Sequence, residues 1–327
     1  MLPLVGELAL PHRRATALSI VSSGLMLGML IARVLSGIIA TYSSWRNVYW
    51  MALALQSLIS ILLWLFMPDY PQKNTDIRYF HVLWSIVDLV IKSPLIAQTC
   101  LMVFFMTSTF TGFWTTLTFL LSNPPYSYSS LVIGLFALAG IIPISMGPVV
   151  ARFFIDHFHP FVSVAGGEFI TLGSILIGTY TGTFTVAGPI LQAIFLDFGQ
   201  QITAIANRTA IYTVAPKASN RINTAYMLAA FCGQIMGTSV GNSLFAQGGW
   251  IHSGSASAAF TCAAILLCFL RGPHEKRWIG WHGGFNIRRP RETNRDEDQQ
   301  CQNPLPVEAT NTDKIEIEKQ LHLQSSS

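Results

Sequence analysis

Three ionisable side chains, Arg33, Glu168 and Asp197, sit inside long apolar runs. At the core of a bilayer such a group costs ~2.5–3.5 kcal/mol on insertion scales, so it is rare unless it is used. Asp197 leads a polar series. Asp197, Gln200, Gln201, Ala204, Asn207 and Arg208 recur at helical spacing, while Ile194, Phe198, Ile202 and Ile205 fall elsewhere. A polar stripe on an apolar helix faces a watery cavity or other helices. Counting ~1.5 Å per residue puts Asp197 near the middle of its helix. Partial desolvation works against the charged form of a carboxylate there, so it can take up and release a proton. Asp197 is therefore the candidate for proton coupling. The alternative is a structural carboxylate held by an ion pair or hydrogen bonds. Arg33, towards the other end of its helix from the basic loop, suits a substrate or counter-ion partner, or equally a gate residue bonded to carbonyls. Glu168 lies within a turn or two of a helix end, where it can snorkel to water. Gln200, Gln201 and Arg208 complete the candidate transport set. Thr107, Thr111, Trp114, Thr115 and Thr118 make a second polar stripe, and Tyr226 and Gln234 are further candidates for lining a cavity.

The elements that carry these residues must be membrane helices. The chain is 51% apolar and only 11% charged over 327 residues, whereas soluble domains carry about 25% charged residues. Eight segments are long and apolar enough to span ~30 Å of hydrocarbon: 15–40, 46–67, 95–121, 130–150, 161–182, 186–206, 222–247 and 254–271. Backbone groups in lipid must be satisfied within the segment, which predicts helices throughout. The five cysteines form no CxxC or Cys/His cluster, so neither a zinc site nor a disulfide framework is indicated. No metal or cofactor is expected. No HExxH or GxSxG motif appears and no histidine lies in a membrane core, so the chain does not read as an enzyme.

Threading the eight segments back and forth places 18 of the 20 Lys and Arg on one side, with Arg46 opposite and Arg33 inside a helix. That side should be cytoplasmic, with both ends of the chain on it. The Asn207-Arg208-Thr209 sequon should then carry no glycan. Residues 68–94 read as a cytoplasmic loop with an amphipathic helix around Tyr79 to Ile91. After the last span, basic residues mixed with Trp278 and Trp281 suit anionic lipid headgroups rather than nucleic acid. From Glu292 the tail is polar and acidic and reads as disordered.

At a constant offset of 205, Pro11 matches Pro216, Gly28 matches Gly233, Ala32 matches Gly237, Ser36 matches Gly241 and Trp45 matches Trp250. Small residues at every fourth position let helix backbones approach closely. Gly28, Ala32, Ser36 and Gly37 are thus candidate packing positions, and the echo points to duplicated halves.

These residues resemble the major facilitator superfamily, in particular its drug:proton antiporter-like and sugar-efflux-like group. Ser19-x8-Gly28-x3-Ala32-Arg33-x2-Ser36-Gly37 is similar to the family's antiporter motif on helix five, with Arg33 where the family has proline. That departure weakens any inference about a bend or seal at this helix. Trp114-Thr-Thr-Leu-Thr-Phe-Leu-Leu, the Asn123-Pro-Pro-Tyr turn, Ala151-Arg152-x3-Asp156-His157 and Pro216-x4-Arg221-Ile-Asn-Thr resemble later landmarks of the family. The resemblance covers about residues 5–270 and implies a partial twelve-helix fold. The chain would begin at the end of helix four, and Met1 resembles an internal start or a truncated gene model. Residues 1–67 are then a remnant of the N-terminal half, 68–94 the central loop, 95–271 a complete six-helix half and 272–327 the tail. The fold expected is an all-α integral membrane protein of about eight transmembrane helices. The resemblance places the Asp197 segment as helix ten and the Trp114 segment as helix seven, both lining a central cavity. It implies a secondary transporter of small organic molecules in the plasma membrane, coupled to protons and exporting by alternating access. The alternative is a truncated, non-transporting membrane protein that is unstable or associates with another transporter.

Overall fold

In the computed structural model, the residues described are 14–66, 79–155, 157–214, 219–273, 275 and 278–281. Pro11, Arg13, Lys73, Arg78, Asp156, Pro216, Lys217 and the tail from 282, to which several expectations refer, lie outside them. Among the described residues the fold is all-helical, with no sheet. In chain order the helices are α1 (Arg14–Tyr42), α2 (Arg46–Phe66), α3 (Tyr79–Lys92), α4 (Pro94–Ser122), α5 (130–155), α6 (Pro160–Thr181), α7 (Ala187–Val214), α8 (219–247) and α9 (250–269). Six stretches are long and apolar enough to cross a membrane, one of them the continuous run Asn220–Phe269. That run is two spans. Gly248 and Gly249 leave helical geometry, and Gly249 takes φ of 69°, a conformation glycine adopts without steric cost. The connection is therefore shorter than the polar stretch 248–253 implied, and α9 begins about one turn earlier. Helix α7 is of spanning length but less apolar, because Gln192, Asp197, Gln200 and Gln201 lie along it. The expected helix at Tyr79 is present as α3.

The helix starts follow local chemistry. Proline opens α4 and α6, where its missing N–H costs nothing. His159 caps α6, its Nδ1 accepting from the Phe161 amide at 3.3 Å. Helix α5 is irregular. An α-turn at Ser130–Leu135 gives way to a 3-10 stretch at Phe136–Gly140, then α-helix at Ile141–Val150 and a π-turn at Ala151–Ile155.

Three apolar clusters hold the bundle. At one end, Leu18, Ile96, Ile211, Ile222 and Tyr226 join α1, α4, α7 and α8. Near the same end, Met102, Ile155, Val164, Ile205 and Cys268 join α4, α5, α6, α7 and α9. This is the end that carries Lys92, Arg152, Arg221 and Arg271, and we call it the basic end. At the opposite end, Phe113, Leu117, Ile175, Leu196 and Trp250 pack together. The α4–α8 seam is a close backbone contact. The Ser108 hydroxyl donates to the Gly233 carbonyl at 2.9 Å, and the Thr107 hydroxyl to the Ala230 carbonyl at 2.9 Å. Small residues permit that approach, as they do between membrane helices generally.

The outer faces are apolar and bare. Helix α2 has no buried residue, and Trp64 and Phe66 are 84% and 78% exposed. An apolar surface of that extent belongs in lipid. Helix α3 packs Ile86, Leu89 and Val90 inward and leaves Trp84, Val87 and Ile91 exposed, a face suited to the headgroup boundary. Trp281 folds back on the bundle, donating to the Phe269 carbonyl at 2.8 Å, while Trp278 stays exposed.

At the end away from the basic residues, the Tyr126 hydroxyl donates to the Gly182 carbonyl at 3.0 Å, tying the α4–α5 loop to the end of α6. A single hydrogen bond is worth about 1 kcal/mol. Tyr126→Phe is expected to lower the melting temperature in detergent by about 2 °C, read by the loss of helical circular dichroism on heating. An unchanged melt would show that this bond carries no stability.

Candidate functional site

Arg33, Trp114 and Asp197 come from three helices and meet at one level. Asp197 is ten residues into α7, Arg33 nine residues from the end of α1, and Trp114 eight from the end of α4. At ~1.5 Å per residue each lies roughly 12–15 Å from the helix end opposite the basic end. The three counts agree because α7 runs antiparallel to α1 and α4.

Trp114 joins the two charges. Its indole N–H donates to Asp197 Oδ1 at 3.3 Å. The Arg33 guanidinium carbon lies 3.9 Å from the centroid of the same ring. A guanidinium over a tryptophan face is attracted by the ring quadrupole, the more so when desolvated. Asp197 and Trp114 are buried, and Arg33 is partly exposed. Between them lies a cavity of about 30 Å³, walled by Met26, Leu30, Phe110, Ile144 and Gly140 as well as the three polar residues. That is room for roughly two waters. The 3-10 stretch of α5 forms one wall: a Cβ added at Gly140 would come within 3.2 Å of Asp197 Oδ2.

The rest of the α7 stripe reaches across to α1 and α4. Gln200 Nε2 donates to the Met106 carbonyl at 3.1 Å, and Gln201 Nε2 to the Ser23 hydroxyl at 3.0 Å. Arg208 Nη1 donates to the Ser22 hydroxyl at 3.1 Å. Asn207 is buried within α7. Trp114 thus lines the cavity with Asp197, whereas Thr107, Thr111 and Thr115 do not. The Thr111 and Thr115 hydroxyls donate to carbonyls of their own helix at 2.8 Å, and that of Thr107 is shared between its own helix and the Ala230 carbonyl of α8. Tyr226 lies beside Arg208 instead, and Gln234 is exposed. Glu168 is buried in α6, at 1% exposure, and among the described residues makes no hydrogen bond or ion pair. Of the small residues on α1, Gly37 packs closely on Gly134, Gly28 has open space beside it, and Ala32 and Ser36 are not buried. Ser22, Ser23 and Gly140 were not anticipated. One signal was available for the first two: Ser22 precedes Arg33 by eleven residues, as Asp197 precedes Arg208, which sets two levels on antiparallel helices.

The family model of the Major Facilitator Superfamily matches residues 1–238. The chain belongs to the major facilitator superfamily. Members of this superfamily are transport proteins rather than catalysts, in keeping with the motifs missing from the sequence. The chain is similar to the uncharacterized transporter YgaY of Escherichia coli O157:H7, 33% identical over 277 residues, covering 84% of this chain and 69% of that protein. It is 27% identical over 251 residues to the probable transporter SCO4007 of Streptomyces coelicolor, covering 76% of this chain and 57% of that one. Among solved structures, the crystal structure of the human organic anion transporter MFSD10 superposes with a TM-score of 0.61 at 14% identity, over 82% of this chain and 66% of the other. At that identity the likeness concerns the fold alone. The chain therefore spans about two thirds of the length of its relatives, a partial superfamily fold built around α4–α9.

Proposed function

We propose that the chain acts in secondary active transport of small organic molecules, coupled to protons and directed outward, by rocking of α1–α2 against α4–α9. The basic end faces the cytoplasm of the plasma membrane in this reading. The observation that carries it is the Asp197 carboxylate, buried at mid-membrane, held by the Trp114 N–H and facing Arg33 across a small cavity. A carboxylate in that position can exchange a proton when the cavity opens to either side. Its partners lie on both of the groups that would move, α1 on one side and α4 and α7 on the other. Residues 1–67 would be the remnant of one half and 95–271 the complete other half, joined through 68–94, with 272–327 as the tail.

The test is flux in proteoliposomes. A panel of organic ions is offered under an imposed pH gradient, and counterflow exchange is measured without one. Asp197→Asn is expected to abolish gradient-driven accumulation, at least tenfold, while exchange persists. Undiminished gradient-driven flux in Asp197→Asn would remove Asp197 from coupling. A second reading, an association with another membrane protein, is favoured by one observation: α2 buries nothing, and Gly24 and Gly28 of α1 have no neighbour within 4 Å. Absence of both flux and exchange from the wild-type chain, with both restored by a full-length relative, would favour it.

A further inference from the structure

The α1–α7 seam has two polar levels. Arg33 and Asp197 make one. Ser22 and Arg208 make the other, eleven residues along each helix towards the basic end. Eleven residues are about three turns, so the second level lies on the same helix faces and ~16 Å away. The Gln201–Ser23 bond lies between the two.

At the second level, the positive charge has no directly paired carboxylate among the described residues, and the buried acid nearest to Tyr226 is Glu168 on α6. Arg208 is 7% exposed. Its guanidinium carbon lies 5.2 Å from the centroid of the Tyr226 ring. One of its five N–H groups is used, on Ser22. Its Nε makes no well-formed bond, and the buried hydroxyl of Tyr226, 2% exposed, has the same guanidinium as its polar neighbour. Burying a cation without a partner is costly, and an unpartnered buried donor adds to the cost. Arginine has donors only, set in a planar fork that matches an oxyanion. Ser22 and Tyr226 add two hydroxyls that can donate. Beside them on the seam are small residues, Ser19 one turn along α1 and Ala204 one turn along α7.

We propose that Arg208, Tyr226 and Ser22 form a second station on the transport path, binding the carboxylate of a small organic anion near the basic end. This rests on the transporter reading above and names its substrate class. A monoanion fits better than a dianion such as phosphate, since one guanidinium in a low-dielectric seam neutralises one charge. The carboxylate takes the Nε and Nη positions of the fork and accepts from Tyr226, replacing the single bond to Ser22. The anion then passes along the seam to the level of Arg33, where apolar walls receive its body.

The test is calorimetric titration of the purified full chain in detergent with benzoate, and with benzamide as its uncharged counterpart. Benzoate is expected to bind saturably and benzamide not. Arg208→Gln should weaken benzoate binding at least tenfold. Arg208→Lys, which keeps the charge and loses the fork, should fall between. Tyr226→Phe, which conserves volume, should weaken it about threefold to fivefold. Lys92→Gln, which removes an exposed cation of α3 paired with Asp88, should leave it unchanged. Benzoate affinity unaltered in Arg208→Gln, or lost equally in Lys92→Gln, overturns the proposal, as does failure of the wild type to bind benzoate. Should Arg208→Gln not fold, unchanged affinity in Tyr226→Phe overturns it. Proton coupling at Asp197 stands or falls by flux, so the two outcomes are separable.

Discussion

Gly237→Leu is expected to yield little or no folded, monodisperse protein. A Cβ at Gly237 would fall on the main chain of Ser108, and Gly112 faces the Gly237 carbonyl from α4 with only 3.2 Å to spare for a Cβ of its own. Inserting side-chain volume into a packed contact ordinarily costs 1–3 kcal/mol because neighbouring side chains give way. Here the neighbour is backbone inside two long helices, and nothing flexible is available to yield. The helices would have to part, breaking the Ser108–Gly233 and Thr107–Ala230 bonds as well. We therefore expect a loss above the upper end of that range, read as aggregation on size-exclusion chromatography. Gly28→Leu is the control, because Gly28 is the echo of Gly233, one turn from Gly237, and has nothing within 4 Å. It should leave the profile unchanged. A monodisperse Gly237→Leu protein with an unchanged melt would refute the close α4–α8 seam.

Trp114 is the second position where a large effect is expected, and two substitutions separate its two roles. Trp114→Phe keeps a ring face under Arg33 and most of the packing against Phe113, but removes the N–H that reaches Asp197. A hydrogen bond to a charged group is worth about 1.5–3 kcal/mol, so gradient-driven flux should fall roughly tenfold to a hundredfold while the melt falls by only a few degrees. Trp114→Ala removes the ring as well. Truncating a buried aromatic costs ~3–5 kcal/mol, so this variant should be both inactive and markedly less stable. Flux in Trp114→Phe equal to wild type would mean that the indole N–H does not set the state of Asp197.

Much of this was legible in the residues themselves. Hydropathy and the clustering of cations marked the spanning segments and the basic end, and helical spacing marked the α7 stripe with Asp197 at its head. Trp114 was legible as part of a stripe on α4. What could not be read was partnership. Whether Arg33 would find a carboxylate or a ring depends on the angle at which α1 crosses α4, and no local pattern carries that. The threonines beside Trp114 share its spacing but bond to main-chain carbonyls, of their own helix and, for Thr107, also of α8, a choice made by rotamers. Gly140 reaches Asp197 only because α5 departs from α-geometry at Phe136, and a sequence of apolar helix formers gives no sign of it. The break at Gly248–Gly249 was visible as two glycines, yet they make a kink between nearly continuous helices where a longer loop was expected.

The irregular stretch of α5 has a mechanical consequence. A 3-10 helix rises ~2.0 Å per residue against 1.5 Å for an α-helix, so converting the five residues Phe136–Gly140 to α-geometry would shorten that strut by roughly 2.5 Å and rotate the residues beyond it. Gly140 ends the stretch and abuts the Asp197 carboxylate. A change of winding in this one segment would therefore draw the wall away from the carboxylate without either end of the bundle having to slide. The segment would behave as a spring whose coil number sets the width of the chamber beside Asp197.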